Sequence, residues 1–253
     1  MSDDRSNDAR RADPTTVGPA CCQALEGLFD EGSARDSLAR YRRSGARDTT
    51  RRLVAALVAR GVAGATLLDI GGGIGAIQHE LLAAGAARAV AVDVSTASLT
   101  ADRAEAERRG VGDRLTTIQG DFVGLAPGIG SADIVTLDRV VCCYPDVDAL
   151  VTASAARAER LYGLVYPRDA AWTRLGIGLE NLVHRLHGSA FRAFVHPEAR
   201  IAALVRAQGL VPALRHEGLV WVVAIFTRPA APGPDGAPPP GAGGGTAAQA
   251  HPA

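Results

Sequence analysis

The sequence predicts an α/β fold with a mostly parallel sheet, and three observations support this prediction. Short apolar runs alternate along the chain with longer segments of helical spacing. Four of the apolar runs end in an aspartate. The first of these runs leads into a glycine-rich loop and then a helix-like segment, and in open α/β sheets ligands bind at this carboxyl edge of the strands. The sequence therefore predicts a ligand site at that edge.

The expected elements follow in chain order. Strands are predicted at residues 65–70, 88–93, 114–119, 132–138 and 159–166, with a closing hairpin of residues 210–216 and 219–227. Helices are predicted at residues 21–29, 49–60, 76–84, 95–109, 169–187 and 197–208. Ser95 suits the N-cap of the helix that follows it, and Thr49 or Thr50 suits that of the helix at 49–60.

The composition of the chain ends differs from that of its middle. Residues 1–18 are polar, charged and aperiodic, and residues 229–253 are rich in Pro, Gly and Ala, so both segments are expected to be disordered. One domain is expected between them, at residues 19–228. No apolar run reaches the roughly 18–20 residues of a membrane span, and the polar start is not that of a signal peptide. A cytoplasmic protein without a membrane partner is the expectation.

Charge and composition exclude several function classes. The formal net charge is zero, which argues against nucleic acid as a partner because phosphate binding relies on a basic surface. The sequence contains no lysine, so all 27 basic residues are arginine. A nucleotide-binding P-loop and the Tyr-x-x-x-Lys pair of short-chain dehydrogenases both need a lysine. Neither chemistry is available to this chain.

The four cysteines form two adjacent pairs, Cys21-Cys22 and Cys142-Cys143. Adjacent cysteines rarely bridge each other, and neither pair has zinc-ligand spacing. Reduced thiols in a cytosolic enzyme and no metal site are therefore expected. A soft-metal or metalloid site that joins the two pairs is the alternative.

The first strand ends at Asp69 and continues into a loop with glycines at Gly71, Gly72, Gly73 and Gly75. Glycine lets the backbone approach a ligand closely because it has no Cβ and tolerates positive φ. A carboxylate in the same turn disfavours a phosphate ligand and favours a cationic one. The dinucleotide fingerprint G-x-G-x-x-G/A also fits this loop, so the loop alone leaves both ligand classes open.

The loop and the acids that follow it resemble the motifs of class I S-adenosylmethionine-dependent methyltransferases. The acids after the second, third and fourth strands are Asp93, Asp121 and Asp138. The resemblance implies S-adenosylmethionine as the cofactor, bound by the Asp69 loop. It also implies a Rossmann-like fold with seven strands, the last of them antiparallel, and helices on both faces.

The resemblance assigns cofactor contacts to particular positions. Asp93, with its neighbour Val94, is placed at the ribose hydroxyls, as in dinucleotide enzymes. Asp121 is placed at the adenine amino group with Phe122 over the ring, and Asp138 beside the methionine moiety. Asp121 also suits the start of an ordinary turn.

Two residues are predicted to be catalytic, Tyr144 and His196. The stretch from Asp138 to Pro145 resembles a stretch in magnesium-protoporphyrin methyltransferases. At the position of their histidine, the present sequence has Cys143. Tyr144 is predicted either to line the acceptor pocket or to be an ordinary buried tyrosine. His196 is the best-placed histidine by family topology, either as a general base or as a structural residue.

Two segments outside the motifs have alternative interpretations. Tyr41 and Arg43 lie in an arginine-rich segment that, by resemblance, folds over the methionine carboxylate; a solvated helix face is the alternative. Residues 169–188 carry Trp172 and Leu175 in an apolar stripe. They are expected either to cover the substrate or to pack against the body or a second copy, so a homodimer is left open.

The predicted function is methyl transfer from S-adenosylmethionine to a small apolar or aromatic molecule, at oxygen, nitrogen or carbon. The alternative from another class is a non-catalytic cofactor-binding or assembly module on the same fold. A nicotinamide-dependent oxidoreductase is a weaker alternative. The complete glycine loop with all four acids favours the enzyme, because a degenerate module has no need of them.

Overall fold

The computed structural model describes residues 25–229. Within this range the helices are α1 Glu31–Ser44, α2 Asp48–Val58, α3 Ala76–Ala83, α4 Thr96–Arg108, α5 Phe122–Leu125, α6 Val147–Ala155, α7 Ala171–Leu186 and α8 Glu198–Ala207. The strands are β1 Thr66–Ile70, β2 Arg88–Asp93, β3 Leu115–Gln119, β4 Ala132–Asp138, β5 Ala158–Pro167, β6 Val211–Glu217 and β7 Trp221–Thr227. Short 3₁₀ turns occur at Gly112–Arg114, Ala126–Gly128 and Val141–Cys143.

The strands form a seven-stranded sheet in the order β3-β2-β1-β4-β5-β7-β6. The pairs among β1 to β5 are parallel, whereas β7 is antiparallel to both β5 and β6. Because β7 runs against the others, its first residue, Trp221, lies beside Pro167 at the end of β5. The predicted fold class, including the antiparallel last strand, is confirmed.

Two hydrophobic clusters lie on opposite faces of the sheet, because neighbouring residues of a strand point to opposite sides. Leu67 joins the cluster formed with α2 and α3, which contribute Leu53 and Leu81. Leu68 joins the cluster formed with α6 and α8, which contribute Val151 and Val205. Helices therefore cover both faces, as predicted, and leave the carboxyl edge of the sheet open to ligand.

Most predicted elements agree with the observed ones to within a few residues. Ser95 is the N-cap of α4, and its side chain accepts a hydrogen bond from the Ser98 amide at 3.0 Å. The N-cap prediction for α2 is wrong: Arg47 holds that position, and Thr49 and Thr50 lie inside the helix. Helix α1 was not predicted.

Several predictions fall outside the described residues. These are the disordered segment 1–18, most of the tail 229–253, the Cys21-Cys22 pair and the start of the helix at 21–29, of which residues 25–28 are helical. Among the described helices, none is long and apolar enough to cross a membrane.

Candidate active site

A cavity of about 460 Å³ opens at the carboxyl edge of the sheet. Its floor is formed by the glycine loop after β1 and by the ends of β2 and β4, and residues of α1 and α2 cover it. The predicted cofactor residues that line it are Gly71, Gly72, Gly73, Asp93, Val94, Asp121, Phe122 and Asp138. Asp69 and Gly75 are not among the lining residues. A volume of this size is typical of small-molecule sites.

The glycines of the loop are needed for different reasons. A Cβ on Gly71 would collide with the Val140 side chain, and one on Gly75 would collide with Asp102 and His79. A Cβ on Gly72 would lie 2.5 Å from both Asp69 Oδ2 and Gln78 Nε2. These glycines are required by packing within the protein.

Gly73 differs from the other loop glycines because a Cβ there would meet no atom within 4 Å. Its φ of +57° belongs to the left-handed region that favours glycine. Since Gly73 lines the cavity, its bare backbone faces the space that a ligand would fill. A ligand in the cavity can therefore approach the Gly73 backbone without meeting another side chain beside it.

Asp69 supports the loop from below. Its side chain is fully buried, and its two oxygens accept hydrogen bonds from Thr136 Oγ1 at 2.6 Å and Gln78 Nε2 at 3.1 Å. Burial raises the pKa of this carboxyl to about 7. The predicted direct contact of Asp69 with the cofactor stays a prediction, since the carboxylate lies beneath Gly72 and outside the cavity lining.

Asp93 presents a carboxylate that the backbone holds in place. Oδ2 accepts a hydrogen bond from the Gly73 amide and Oδ1 from the Ser95 amide, both at 2.8 Å. Burial raises the pKa of Asp93, although the two amides act in the opposite direction. The Gly73 bond ties the end of β2 to the glycine loop, so the carboxylate and the open backbone face the same cavity.

Asp121 and Phe122 form the wall of the cavity after β3. Asp121 caps α5 by accepting a hydrogen bond from the Val123 amide at 3.2 Å, and it accepts another from Tyr144 Oη at 3.0 Å. Phe122 is buried and also lines the cavity. Asp121 therefore forms the turn that begins α5, and its predicted contact with the adenine stays a prediction.

Asp138 and Arg139 lie at the end of β4. Asp138 Oδ2 accepts a hydrogen bond from Thr50 Oγ1 at 2.5 Å, and burial raises the pKa of this carboxyl. Arg139 has a φ of +63°, the one positive value among described residues other than glycine. Asp138 Oδ1 and Arg139 Nε are buried, 3.9 Å apart, and neither has a hydrogen-bond partner within residues 25–229.

The sequence reasoning missed the residues that complete this end of the cavity. Arg139 Nη2 donates to Thr49 Oγ1 at 2.6 Å, and the guanidinium carbon lies 4.9 Å from the centre of the Trp221 ring. Arg40, Arg47, Thr50, Arg139 and Trp221 all line the cavity. Arg139 directly follows Asp138, a predicted strand-end acid, so its position in the sequence could have indicated a place in the site. The other four residues reach the cavity through tertiary contacts, which the sequence pattern does not show.

Tyr41 lines the cavity, whereas Arg43 does not. The Tyr41 hydroxyl donates a hydrogen bond to Glu80 Oε1 at 2.6 Å, and burial is the main cause of a raised pKa for this phenol. Arg40, in α1, and Arg47, at the N-cap of α2, line the cavity instead of Arg43. The predicted contact of this arginine-rich segment with a methionine carboxylate stays a prediction.

The two predicted catalytic residues are neighbours in space. Tyr144 lines the cavity, while His196 is not among the lining residues. His196 Nε2 lies 3.0 Å from the Tyr144 carbonyl oxygen, and its ring stacks on Phe194 at a centroid distance of 5.6 Å. The imidazole is thus packed behind the backbone of Tyr144.

Cys142 and Cys143 lie in the 3₁₀ turn after β4, with their sulfur atoms 3.7 Å apart and no disulfide between them. Cys143 lines the cavity. No group of three or more potential metal-binding side chains occurs in the part of the chain that the structure describes.

The comparisons with known proteins agree with this geometry. Residues 67–160 match the family model described as a methyltransferase domain. No curated protein sequence matches the chain.

Among solved structures, similar ones include magnesium protoporphyrin IX methyltransferase from Synechocystis PCC 6803 with bound SAH. It is 20% identical with a TM-score of 0.65, over 83% of this chain and 100% of that one. An O-methyltransferase family protein from Burkholderia thailandensis is 18% identical with a TM-score of 0.62, over 81% and 62% of the two chains. An O-methyltransferase family 2 protein from Planctomyces limnophilus, solved with apigenin, is 18% identical with a TM-score of 0.53, over 71% and 63%. At such identities the likeness establishes the fold.

The matched domain contains the glycine loop, the four strand-end acids and β1 to β4. The sheet has the seven strands and the antiparallel last strand that the resemblance implied. Residues 67–160 thus match a methyltransferase domain, and the fold of the described chain is that of the solved methyltransferases.

Proposed function

We propose that the protein transfers the methyl group of S-adenosylmethionine to a small apolar or aromatic molecule. The observation that carries this proposal is one cavity with two different ends. Gly73, Asp93 and Asp121 face it above β1 to β3, while Val140 and Trp221 face it above β4 and β7. The first end suits a nucleoside, and the second offers apolar and aromatic surface to an acceptor.

The residues present fit the proposed cofactor. Asp93 offers carboxylate oxygens to the ribose hydroxyls, and Asp121 with Phe122 offers an acceptor and a ring face to the adenine. Beside the apolar surface, Asp138 Oδ1 and Arg139 Nε are buried polar atoms of opposite charge that have no hydrogen-bond partner within residues 25–229. Such a pair matches the ammonium and carboxylate of an amino acid, since buried polar atoms are normally hydrogen-bonded.

The chemistry asks the chain mainly for positioning. S-adenosylmethionine supplies an already activated methyl group, so the protein residues have to align donor and acceptor and exclude water. Helices α1 and α2 help to exclude water, because Tyr41, Arg47 and Thr50 cover the cavity. O-, N- or C-methylation are all compatible with this arrangement.

Tyr144 and His196 are the proposed catalytic residues for a hydroxyl acceptor, which must lose a proton. Tyr144 is supported by its place in the cavity wall, and His196 by its contact with the Tyr144 backbone. A general base contributes about 10²–10⁴-fold to the rate, so a base role predicts a loss of turnover in that range for His196→Ala or Tyr144→Phe. Unchanged turnover in both variants, with cofactor affinity intact, would leave positioning as the mechanism.

The other parts of the sequence-based prediction remain proposals. A small-molecule acceptor rather than a nucleic acid is supported by the zero net charge and by the apolar wall of the cavity. A cytoplasmic location is supported by the sequence alone. A non-catalytic module on the same fold would bind the cofactor without transferring methyl.

Calorimetry with S-adenosylhomocysteine and with NAD tests the cofactor assignment. We expect binding of the first and none of the second. Asp93→Ala should weaken binding of S-adenosylhomocysteine by roughly 1–3 kcal/mol, or about 5- to 150-fold, because hydrogen bonds to a charged group are lost.

Asp113→Ala is the matched control, since Asp113 lies in a 3₁₀ turn before β3 and does not line the cavity. An unchanged dissociation constant in Asp93→Ala would remove the ribose assignment, and binding of NAD alone would favour the oxidoreductase. Incubation of co-purifying small molecules with methyl-labelled cofactor then separates an enzyme from a binding module, and mass spectrometry of the labelled product identifies the acceptor.

A further inference from the structure

Helix α7 turns its apolar side away from the protein. The five apolar residues of its stripe are exposed: Trp172 by 50%, Leu175 by 77%, Leu179 by 62%, Leu182 by 50% and Leu186 by 76%. None of them lines the cavity, so the stripe does not cover a substrate there. A contiguous apolar surface of this kind on a water-soluble fold indicates an interaction site.

The spacing of the stripe points to a helix as the partner. Its residues follow one another at intervals of three, four, three and four, which is the a/d repeat of a helix-pairing seam. Gly176 and Gly178 flank this seam, so the helix backbone there is accessible to close approach. Val183 also flanks the seam. We call the five residues Trp172, Leu175, Leu179, Leu182 and Leu186 the α7 seam.

The opposite side of α7 is already occupied by the body of the protein. Ile177 packs against the cluster of Leu25, Phe191 and Ala193. Asn181 exchanges two hydrogen bonds with the Ala193 backbone, each at 2.8 Å. Because this inner side fixes the helix, rotation that would bury the α7 seam against the same chain would break these contacts.

Residues 1–24 and 230–253 lack the large apolar side chains that would be needed to cover the α7 seam. Residues 1–24 contain Met1 and Val17 as their only large aliphatic side chains, and residues 230–253 contain no Val, Leu, Ile, Met or aromatic residue. A seam of five large side chains needs a comparable apolar set on its partner. The seam itself supplies such a set when it comes from a second copy.

Charge argues against a lipid surface as the occupant. A helix that lies on a membrane normally carries several basic residues on its polar face. Here Arg174 is paired with Asp169 at 2.7 Å and His184 lies 3.8 Å from Glu180, which leaves Arg185 as the other basic residue of the helix, and the chain as a whole has no net charge. A protein partner fits this helix better.

We propose that the α7 seam pairs with the α7 seam of a second copy across a two-fold axis and so forms a homodimer. A two-fold interface uses the same patch on both subunits, which a single self-complementary stripe satisfies. Leu219 and Val220 extend the patch, because Trp172 Nε1 donates a hydrogen bond to the Leu219 carbonyl at 3.0 Å. Ile177 connects this surface to Leu25 and Cys143, which line the cavity, so each copy's cavity wall lies directly behind the interface.

The size of the interface sets its expected strength. Sixteen residues of helix extend about 24 Å, and one helix pair of that length buries less than the roughly 1,600 Å² of a standard interface. The dimer should therefore dissociate in the micromolar range. Sedimentation velocity of the full chain from about 1 to about 100 µM should show a concentration-dependent shift from monomer to dimer.

The double variant Leu175→Glu/Leu179→Glu tests the surface. Both residues are exposed in the single chain, so the fold and its circular dichroism should be unchanged. Carboxylates in an apolar seam lose hydration without gaining partners, and the dimer dissociation constant should rise at least about 100-fold. Val58→Glu and Val211→Glu are the controls, because both valines are exposed by about 40% away from α7 and should leave the dimer intact.

The proposal is overturned if the wild-type chain stays monomeric up to about 100 µM, or if the double variant dimerises like the wild type. A wild-type chain that is monomeric but floats with anionic phospholipid vesicles, while the double variant does not, would assign the α7 seam to a lipid surface instead. These readouts need no cofactor or acceptor, so they are independent of the proposed methyl transfer.

Discussion

Gly72 and Gly73 are adjacent in the loop yet face different surroundings. A Cβ on Gly72 points inward at the Asp69 and Gln78 side chains, whereas one on Gly73 points into open space beside the cavity. Packing limits which residues can occupy position 72, and the positive φ limits which residues can occupy position 73. Substitution at the two positions should therefore separate stability from binding.

Gly72→Ala should lower the free energy of unfolding by roughly 1–3 kcal/mol, because it overpacks a buried site. Gly73→Ala should cost about 1–2 kcal/mol of backbone strain and, in addition, weaken binding of S-adenosylhomocysteine because its methyl group enters the cavity. Urea unfolding of the ligand-free proteins and calorimetry measure the two effects. Wild-type affinity in Gly73→Ala would show that the cofactor does not approach the backbone at Gly73.

At the scale of elements, α2 positions the end of β4. Thr50 and Thr49 extend from the first turn of this helix to Asp138 and Arg139, respectively. Their sequence positions predict caps, since Thr is common there. In the structure their hydroxyls instead hold the Asp138–Arg139 pair at the end of β4, so the helix acts on the site through its side chains.

Thr50→Val keeps the shape of the side chain and removes the hydroxyl. Both oxygens of the partly buried Asp138 would then lack a hydrogen-bond partner among the described residues, so the free energy of unfolding should fall by roughly 1–3 kcal/mol. Thr100→Val is the control, because the Thr100 hydroxyl bonds to the Thr96 carbonyl on the exposed side of α4. The control should stay within about 0.5 kcal/mol of wild type in urea unfolding. Equal stability of the two variants would contradict a role for α2 in holding Asp138.

At the scale of the whole molecule, the fold gathers buried carboxyl groups at one edge of its sheet. Burial is the largest cause of the raised pKa of Asp69, Asp93 and Asp138. In the unfolded chain these groups ionise in the ordinary aspartate range, while the folded chain resists ionisation. Stability is therefore fully present below the unfolded pKa and is lost as the pH rises through the folded pKa.

For Asp69 this window runs from its ordinary value of 3.8 to about 7. Asp69→Asn should remove the part of the stability loss at high pH that comes from ionising Asp69. The ligand-free variant should therefore be more stable than wild type near about pH 8, by up to roughly 4 kcal/mol, and similarly stable near about pH 4. The asparagine amide can donate to Gln78 Oε1, which lacks a partner among the described residues. Urea unfolding at both pH values checks this, and an equal pH dependence of the two proteins would refute it.

At low pH, stability changes with pH in the opposite direction. Hydrogen bonds from Arg108, Arg109 and Arg42 hold the pKa of Glu105 below its usual range. Its stabilisation is present above the ordinary glutamate pKa and is lost as the pH falls. The two windows meet at the ordinary pKa values of 3.8 for Asp69 and 4.5 for Glu105, so the sum of these two contributions to stability should be largest near about pH 4.

Removal of residues 229–253 tests whether the described domain is self-sufficient. The segment from Pro229 onward contains no side chain that could bury much apolar surface, so melting temperature and affinity for S-adenosylhomocysteine should stay nearly unchanged. Thermal unfolding and calorimetry of the shortened chain measure both. A drop of several degrees would mean that the tail packs on the domain.

Local rules account for the parts of the fold that could be predicted from the sequence. The alternation of apolar runs gave all seven strands, and the turn chemistry of Asp69 to Gly75 and the cap at Ser95 gave the loop and α4. These signals depend on residues within a few positions of one another, and periodicity and capping act at that range. Helix α1 was missed because its buried positions, such as Tyr41, are few and its other side chains are charged.

The sequence by itself determined the order of the strands along the chain, the glycine loop and the acids at the strand ends. Only the tertiary structure decided that Asp69 lies beneath the loop, that His196 packs behind Tyr144, that Arg139 and Trp221 meet in the cavity, and that the α7 seam faces outward. An apolar stripe has the same spacing whether it faces a core, a substrate or a second copy, because periodicity fixes which residues share a face and not what covers that face. The choice depends on packing between residues far apart in the chain, where a kilocalorie or two per contact selects one arrangement among several that the local pattern allows.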